Sequence, residues 1–204
     1  MARDPSVLVH ALALCESDDV GPRTRIWAFA HVLAGARIGA DCNVGDHAFV
    51  EGGAVVGDRV TIKNGVLVWS GVTVEDEVFL GPGVVFTNDA SPRAPYPKGP
   101  AGWRATVVGR GATVGANATV LSGLTIGPWA MVGAGSVVTA DVPAHALVVG
   151  NPARQTGWAC RCGRTLPGDR GTTAGDLACD CGRSWRLAPG GTLEERSSAT
   201  GHDG

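Results

Sequence analysis

The sequence predicts an all-β solenoid, which is a coil of short strands, and three observations lead to this prediction. A large apolar residue recurs at every sixth position over most of the chain. Glycine is abundant, at 31 of 204 residues, without the strict period of collagen. Aromatic residues make up only 5% of the chain although hydrophobic residues make up 44%, so the core must consist of small aliphatic side chains. This length is enough for one domain with a substantial core and a small appendage.

The six-residue register runs through two blocks that one interruption separates. Only about a quarter of the chain is Val, Ile, Leu, Met or Phe, so an unbroken series of these residues is not chance. The register positions are Val20, Ile26, Val32, Ile38, Val44, Val50, Val56, Ile62, Val68, Val74, Leu80 and Phe86, then Val108, Val114, Val120, Ile126, Val132 and Val138. Leu8 and Leu14 share the register and predict a partial first turn.

Each register residue is followed four positions later by a small or aliphatic residue, and often directly by glycine. A period of six fits neither an α-helix nor an amphipathic strand, but it fits short strands joined at sharp corners. We expect the large side chain to point inwards, the small residue to lie at the bend and glycine to accommodate the corner backbone. The interior is expected to be too narrow for aromatic rings.

This pattern resembles the hexapeptide repeat of bacterial acyltransferases, and the resemblance covers most of the chain. It implies a left-handed parallel β-helix with three hexads per turn, and hence six full turns from the register positions. The predicted domains are residues 1–157 for the β-helix, with an inserted loop at 87–107, and residues 158–189 for a small cysteine-rich module. Residues 190–204 are polar and are predicted to be disordered.

Shorter stretches resemble the nucleotide-linked amino-sugar N-acetyltransferases more narrowly. The stretches are Ile26-Trp27, residues 74–82, Phe86-Thr87-Asn88-Asp89, Pro92-Arg93, residues 115–119 and Gly157-Trp158. Members of this family act on UDP-2-acetamido-3-amino-2,3-dideoxyglucuronate or on dTDP-3-amino-3,6-dideoxyhexoses, and the Phe-Thr-Asn-Asp form favours the dTDP-sugar branch. The resemblance implies acetyl-CoA as co-substrate, a nucleotide sugar as substrate and a homotrimer with active sites at its subunit boundaries.

The resemblance also assigns candidate site residues. Asn88 matches the asparagine that lies beside the reacting amine, and its amide can accept a hydrogen bond but cannot act as a strong base. His47 is the candidate general base, with an exposed surface histidine as the alternative interpretation. Candidate substrate-binding residues are Asn64, Glu75, Asp89 and Arg93, of which Arg93 would hold a pyrophosphate or a sugar carboxylate. Glu75 alternatively caps a corner of the coil. Candidate CoA-binding residues are Gly115, Ala116, Gly133, Ala134, Asn151 and Arg154.

Four cysteines lie in the last quarter of the chain, in two Cys-x-Cys-Gly motifs. They are Cys160, Cys162, Cys179 and Cys181. Four thiolates can bind Zn²⁺ tetrahedrally, and we expect a structural zinc there rather than a catalytic one, because protein would fill all four positions. Free thiols are the alternative, since a Cys-x-Cys pair is tighter than the usual Cys-x-x-Cys.

Composition excludes several classes of function. The formal net charge of −2 argues against a nucleic-acid binder, and no stretch has the length of a membrane span or the pattern of a signal peptide. We therefore expect a cytoplasmic protein. A γ-type carbonic anhydrase would need three stacked histidines, whereas His31 and His47 are sixteen positions apart. An O-acetyltransferase acting on a simple sugar or serine and a non-catalytic scaffold remain alternatives. Outward apolar residues such as Val55, Val85 and Met131 predict that coil faces are covered in a trimer.

Overall fold

The protein forms a three-sided parallel β-helix that is followed by a small antiparallel sheet. The computed structural model describes residues 4–167, 174–189 and 191–196, and this part of the chain contains no α-helix. The chain passes in turn over a nine-stranded, a seven-stranded and a five-stranded sheet, here called faces 1, 2 and 3. The corners between them are edges 1–2, 2–3 and 3–1. The predicted all-β solenoid is confirmed. The described residues include no helix with the length and apolar character of a membrane span.

Face 1 has eight parallel strands and a final antiparallel one. The strands are β1 (Leu8–Val9), β3 (Arg25–Ile26), β6 (Asn43–Val44), β9 (Thr61–Ile62), β12 (Phe79–Leu80), β15 (Thr113–Val114), β18 (Met131–Val132), β20 (Ala146–Val149) and β21 (Arg154–Trp158). The solenoid therefore has about eight coils, because the Leu8 strand and the strand Ala146–Val149 extend the six predicted turns at both ends.

Faces 2 and 3 consist of parallel strands throughout. Face 2 contains β2 (Leu14–Cys15), β4 (His31–Val32), β7 (Phe49–Val50), β10 (Leu67–Val68), β13 (Val85–Phe86), β16 (Thr119–Val120) and β19 (Val137–Val138). Face 3 contains β5 (Arg37–Ile38), β8 (Val55–Val56), β11 (Val72–Val74), β14 (Thr106–Val108) and β17 (Thr125–Ile126). Isolated bridges continue face 3 at Val20 and at Val142.

The core is a single column of the eighteen register residues from Val20 to Val138, all of which are buried, together with most of the small residues at the bends. Leu8 and Leu14, which share that register in the sequence, are exposed, because their neighbours Val9 and Cys15 align with Ile26 and Val32.

Two further expectations were wrong. Phe86 is fully buried, so the interior does admit a ring; its partner in the next coil is only a valine, Val120, which leaves it room. Ala90, the small residue four positions after Phe86, was expected at a buried bend but is exposed, because the chain has already left the coil there.

The glycines that follow register residues are required by close packing between coils rather than by their own backbone angles. A Cβ atom on Gly115 would lie 2.5 Å from the backbone nitrogen of Ala134, and one on Gly45 would lie 2.6 Å from Oδ1 of Asn64. The left-handed backbone conformation falls two residues later, for example at Gly65 and Gly83. Each corner thus has two positions that favour glycine. The position after the register residue needs it for close packing, and the position two residues later needs it for the left-handed backbone.

Edge 3–1 carries a column of charged residues in the left-handed conformation. Arg23, Asp41, Arg59 and Glu77 lie in successive coils, with φ between 57° and 62°. Arg23 pairs with Asp41 at 2.6 Å, and Arg59 pairs with Glu77 at 3.0 Å. These contacts offset part of the cost of a positive φ in a residue that has a Cβ atom.

The inserted loop leaves the coil between faces 2 and 3. It begins after β13 and ends before Thr106, so it spans residues 87–105, two fewer than the predicted 87–107. Its only regular element is a single 3₁₀ turn at Pro100–Gly102.

The C-terminal module contains three antiparallel strands, which are β22 (Gly175–Ala178), β23 (Ser184–Leu187) and β24 (Leu193–Arg196). The strand Leu193–Arg196 lies in the segment 190–204 that was predicted to be disordered, and for these four residues the prediction was wrong. It pairs with β23 and buries Leu193, which gives it a place in the core of the module. The rest of that predicted tail, residue 190 and residues 197–204, lies outside the described residues.

Candidate active site

The candidate site residues fall on all three edges of the solenoid. Asn88, Asp89 and Arg93 lie in the insert on edge 2–3, whereas Glu75 lies on edge 3–1. Edge 1–2 carries the largest group, which consists of His47, Asn64, Gly115, Ala116, Gly133 and Ala134. Asn151 and Arg154 belong to the segment that closes the last coil. Edges 1–2 and 2–3 both border face 2, so one chain presents the two main groups on opposite sides of that face.

Asn88 stands at the neck of the insert. Its backbone carbonyl accepts a hydrogen bond from the N–H of Arg104 at 2.9 Å, and this bond joins the two ends of the loop. The side chain is half-buried and its amide has no hydrogen-bond partner among the described residues. The structure therefore fixes the position of Asn88 through its backbone and leaves its amide available for a ligand.

Asp89 forms an ion pair with Lys98, which was not among the candidate residues. Lys98 Nζ donates to Asp89 Oδ1 at 2.9 Å, to the Ser91 carbonyl at 3.0 Å and to Ser91 Oγ at 2.5 Å. The hydrogen bond from Lys98 lowers the pKa of Asp89, and a further bond from the backbone N–H of Ser91 adds to the effect. Asp89 thus helps to shape the insert, and its role as a substrate ligand stays a prediction.

The insert is a cationic segment. Arg93 is exposed, and within the described part of the chain its guanidinium donates only to the neighbouring carbonyl of Pro92, at 3.1 Å. Arg104 is also exposed, and its aliphatic part lies close to Gly123. With Lys98, these arginines outnumber the single carboxylate of Asp89 in residues 87–105. Such a loop attracts an anionic ligand such as a pyrophosphate.

His47 lies on edge 1–2 with φ of 59°, and its imidazole is exposed. The ring stacks on Phe29, with ring centroids 4.9 Å apart and planes 14° apart. No carboxylate orients the imidazole in the described part of the chain, and His47 and Asn88 lie on different edges. One chain therefore does not bring these two candidates together.

Glu75 caps a corner, which was the alternative interpretation of this residue. Its Oε2 accepts a hydrogen bond from the backbone N–H of Arg110 at 2.8 Å. Aspartates do the same elsewhere on edge 3–1, since Asp58 accepts from Ala40 N at 2.8 Å and Asp76 accepts from Asp58 N at 2.9 Å. Carboxylates thus occupy three of the corner N–H groups along this edge.

Edge 1–2 leaves equivalent corner N–H groups open. The N–H groups of Gly115 and Gly133 bond to the next coil, to the carbonyls of Val132 and Val148 at 2.8 Å. The N–H groups of Ala116 and Ala134, by contrast, have no acceptor among the described residues. The exposed side chain of Asn64 lies on the same edge, one coil beyond His47. This edge therefore offers unpaired backbone donors to a ligand that carries carbonyl groups.

The last coil is closed by the segment 150–154. Val137 N donates to the Gly150 carbonyl at 2.9 Å, and Ala153 N donates to the Val137 carbonyl at 2.8 Å, so the chain crosses the open end of face 2. Asn151 is exposed in this crossing. Arg154 lines a cavity of about 490 Å³, together with Thr139, Asp141 and Pro143. Arg154 is the one positively charged residue among the CoA-binding candidates, and it lies at this cavity.

The four tail cysteines form a cluster at the tips of two hairpins. Their sulfur atoms all lie within 4.8 Å of one another. The shortest separations cross between the motifs, with Cys160 to Cys181 and Cys162 to Cys179 both at 3.6 Å. Hydrogen bonds to Cys181 Sγ from the backbone N–H and then the guanidinium of Arg183 lower the pKa of this thiol to about 6. This set of donors fits a tetrahedral metal ion of the zinc type.

The parallel coil of hexads has the pattern of the hexapeptide repeat, and the comparisons with known proteins agree with it. Residues 105–140 match the bacterial transferase hexapeptide (six repeats), and residues 35–70 match the hexapeptide repeat of succinyl-transferase.

Among the relatives of this chain is the dTDP-3-amino-3,6-dideoxy-α-D-galactopyranose 3-N-acetyltransferase of Aneurinibacillus thermoaerophilus. It is 47% identical over 182 residues, which are 89% of this chain and 92% of that protein. Serine acetyltransferase 2 of Arabidopsis thaliana is 53% identical over only 47 residues, 23% of this chain and 15% of that protein.

Among solved structures, a GDP-perosamine N-acetyltransferase variant from Caulobacter crescentus, in complex with CoA and GDP-perosamine, superposes with a TM-score of 0.47 and 23% identity. The match covers 76% of this chain and 55% of that one. On the full-length similarity to the Aneurinibacillus protein, the chain belongs to the hexapeptide-repeat family of amino-sugar N-acetyltransferases and is an enzyme of the acyltransferase class.

Proposed function

We propose that this enzyme transfers the acetyl group of acetyl-CoA to the amine of a nucleotide-linked amino sugar, with a dTDP-linked 3-amino-3,6-dideoxyhexose as the first candidate. The relative that aligns over 89% of the chain is named for this reaction. The structural observation that supports the proposal most directly is the amide of Asn88, which has no hydrogen-bond partner among the described residues and lies at the neck of a cationic insert.

In this proposal Asn88 positions the nucleophile. Its Oδ1 accepts a hydrogen bond from the neutral sugar amine, and the lone pair of the nitrogen then points at the thioester carbon. The new C–N bond forms, the C–S bond breaks, and the proton lost by the nitrogen ends on the sulfur of the departing CoA. An amide cannot carry that proton, so Asn88 contributes orientation rather than base catalysis.

Edge 1–2 supplies the donors for the other substrate. The open N–H groups of Ala116 and Ala134 suit the carbonyls of the pantetheine arm or the oxyanion of the tetrahedral intermediate. Arg154, in the cavity at the last coil, suits a phosphate of CoA. Arg93 and Arg104 in the insert suit the pyrophosphate of the nucleotide sugar.

Because the two groups of residues flank face 2 in one chain, the complete site requires a second copy. We infer a homotrimer in which face 2 packs against the neighbouring chain. Its outward residues form an apolar stripe that includes Phe49, Leu67 and Val85, and the ring of Phe49 contacts that of Trp69 at 5.3 Å. Of the residues on which the trimer was predicted, Val85 lies in this stripe. Val55 lies on face 3, and Met131, on face 1, lies beside Gly163 of the C-terminal module.

A reducing compartment fits the cluster of unpaired cysteines, and we propose the cytoplasm.

The substrate proposal is tested by measuring release of the CoA thiol with a panel of UDP- and dTDP-linked amino sugars. The corresponding hydroxy sugars and serine serve as acceptors for O-acetylation. We expect turnover with an amino sugar of the dTDP series. Turnover with serine or a hydroxy sugar alone would contradict N-acetylation, and no thiol release with any acceptor would contradict the proposal as a whole.

A further inference from the structure

We propose that Cys160, Cys162, Cys179 and Cys181 bind one structural Zn²⁺, and that this ion holds the C-terminal module against the last coils of the solenoid. The proposal is independent of the acetyl-transfer reaction, because the cluster lies in a separate module and would leave no coordination position for a substrate.

The spacing of the sulfurs matches tetrahedral coordination. A Zn–S bond of about 2.3 Å places tetrahedral ligands roughly 3.8 Å apart. The observed separations of 3.6 Å between motifs and at most 4.8 Å within the cluster bracket this value. A disulfide requires sulfurs about 2.05 Å apart, and all four cysteines are free in the structure.

The two motifs have the same backbone geometry, which is what a shared ion requires. In the first, Cys160 N donates to the Arg164 carbonyl and Gly163 N donates to the Cys160 carbonyl, at 2.9 and 2.8 Å. In the second, the same bonds join Cys179 to Arg183 and Gly182 to Cys179, both at 2.9 Å. The glycines have φ of 86° and 88°, a conformation that a residue with a Cβ atom rarely adopts.

Charge around the cluster favours a bound dication with four thiolates. Such a centre carries a net charge of −2, and Arg161, Arg164 and Arg183 all belong to the two hairpin tips. Arg183 already donates to Cys181 Sγ at 3.4 Å. Glu195 pairs with Arg161 at 2.9 Å and with Arg183 at 3.3 Å, which joins both hairpin tips to the strand Leu193–Arg196.

The module is too small to rely on its apolar core alone. Its buried side chains are Leu166, Leu177, Trp185, Leu187 and Leu193, together with parts of the cysteine cluster. Units of roughly 40 residues usually need a metal or disulfides to fold stably. A metal at the hairpin tips would supply that constraint, since binding energy for a structural ion is folding energy.

The cluster is also joined to the solenoid through neighbouring residues. Arg161, between two of the cysteines, lies over the ring of Trp129 at 5.3 Å. Trp185 packs against His145 with centroids 4.5 Å apart, and Ala159 N donates to the His145 carbonyl at 2.7 Å. Burial lowers the pKa of His145, which keeps the imidazole neutral in this contact. Loss of the ion should therefore loosen the cap on the last coils.

The test is metal analysis of the full chain purified without chelator, where we expect about one zinc per chain. Cys162→Ser and Cys181→Ser replace the two exposed ligands and should each lose the zinc and lower the Tm. Cys15→Ser, which lies at the other end of the solenoid, is the matched control and should keep it.

If the serine variants fail to fold, the wild-type protein still decides the matter. Titration of its thiols with an organic mercurial, followed with a zinc-sensitive dye, should release one zinc as the four tail thiols react. Cobalt substitution should give the visible absorption of a tetrahedral thiolate site. Wild-type protein with less than about a tenth of a zinc per chain, whose tail thiols react freely before any chelator is added, would overturn the proposal, as would two disulfides or bound iron in its place.

Discussion

Replacing Asn88 with alanine should reduce catalysis strongly while leaving the fold intact. The half-buried side chain has no hydrogen-bond partner among the described residues, and the bond that closes the insert uses the backbone carbonyl, which the substitution keeps. Losing one oriented hydrogen bond to a reacting group costs roughly 2–4 kcal/mol of transition-state stabilisation. At about 1.4 kcal/mol per factor of ten, kcat/KM should fall by about one and a half to three decades.

The assay combines thiol release with thermal unfolding. Asn88→Ala should lose activity with an unchanged Tm. Asn43→Ala is the matched control, because Asn43 Oδ1 accepts a hydrogen bond from Trp27 Nε1 at 2.8 Å on face 1. Removing that acceptor should lower the stability by about 1 kcal/mol and leave kcat/KM close to wild type. The two variants should thus show opposite patterns.

Near-normal kcat/KM in Asn88→Ala, measured with a nucleotide sugar that the wild-type enzyme turns over, would refute the role of this residue. A large fall in Tm for the same variant would show that the side chain supports the insert instead. Asn88→Asp adds a separate test. A carboxylate would favour the protonated, unreactive amine, so the activity should require a higher pH than in the wild-type enzyme.

Three further predictions concern other parts of the molecule. His47→Ala should leave kcat within a few-fold, whereas a loss of two to four decades with a shifted acid limb of the pH profile would make His47 the general base. Leu67→Glu, in the apolar stripe of face 2, should yield monomers without activity in light-scattering and turnover measurements, while Thr61→Glu on face 1 should remain trimeric. Hydrogen bonds from Arg110 and then Arg59 lower the pKa of Glu77. A carboxyl group with a lowered pKa stabilises the fold above its ordinary pKa of 4.5, and this stability is lost as the pH falls through the pKa of the folded state. Glu77→Gln should therefore flatten the acid side of a curve of Tm against pH.

The repeat made the coil predictable from the sequence because each register residue has the same environment in every turn. Positions such as 62 and 120 require only a large apolar side chain that points inwards, and Ile62 and Val120 are both fully buried. The cysteine cluster was predictable for a similar reason, since two matching motifs in one module imply a shared site. The insert could be located at its start, where Phe86 is the last residue in register.

Contacts between distant positions could not be read in the same way. Two examples depend on how the insert and the corners fold back, namely the salt bridge from Lys98 to Asp89 and the cap that Glu75 forms on the N–H of Arg110. The six-residue repeat does not predict either contact. The strand Leu193–Arg196 follows a polar, glycine-rich segment, and its place in the sheet is set by a single buried leucine. The division of the candidate site between two edges appears only when each hexad is assigned to a face.

The charged column of edge 3–1 restricts how the length of this protein can change in evolution. A solenoid of equal coils could lose or gain one turn of 18 residues without altering its core. The signs of Arg23, Asp41, Arg59 and Glu77 alternate, however, with partners 18 positions apart. Deletion of the coil that contains Asp41 would stack Arg23 on Arg59, two like charges, so in this stretch the coil can be shortened or lengthened at low cost only by two turns at a time.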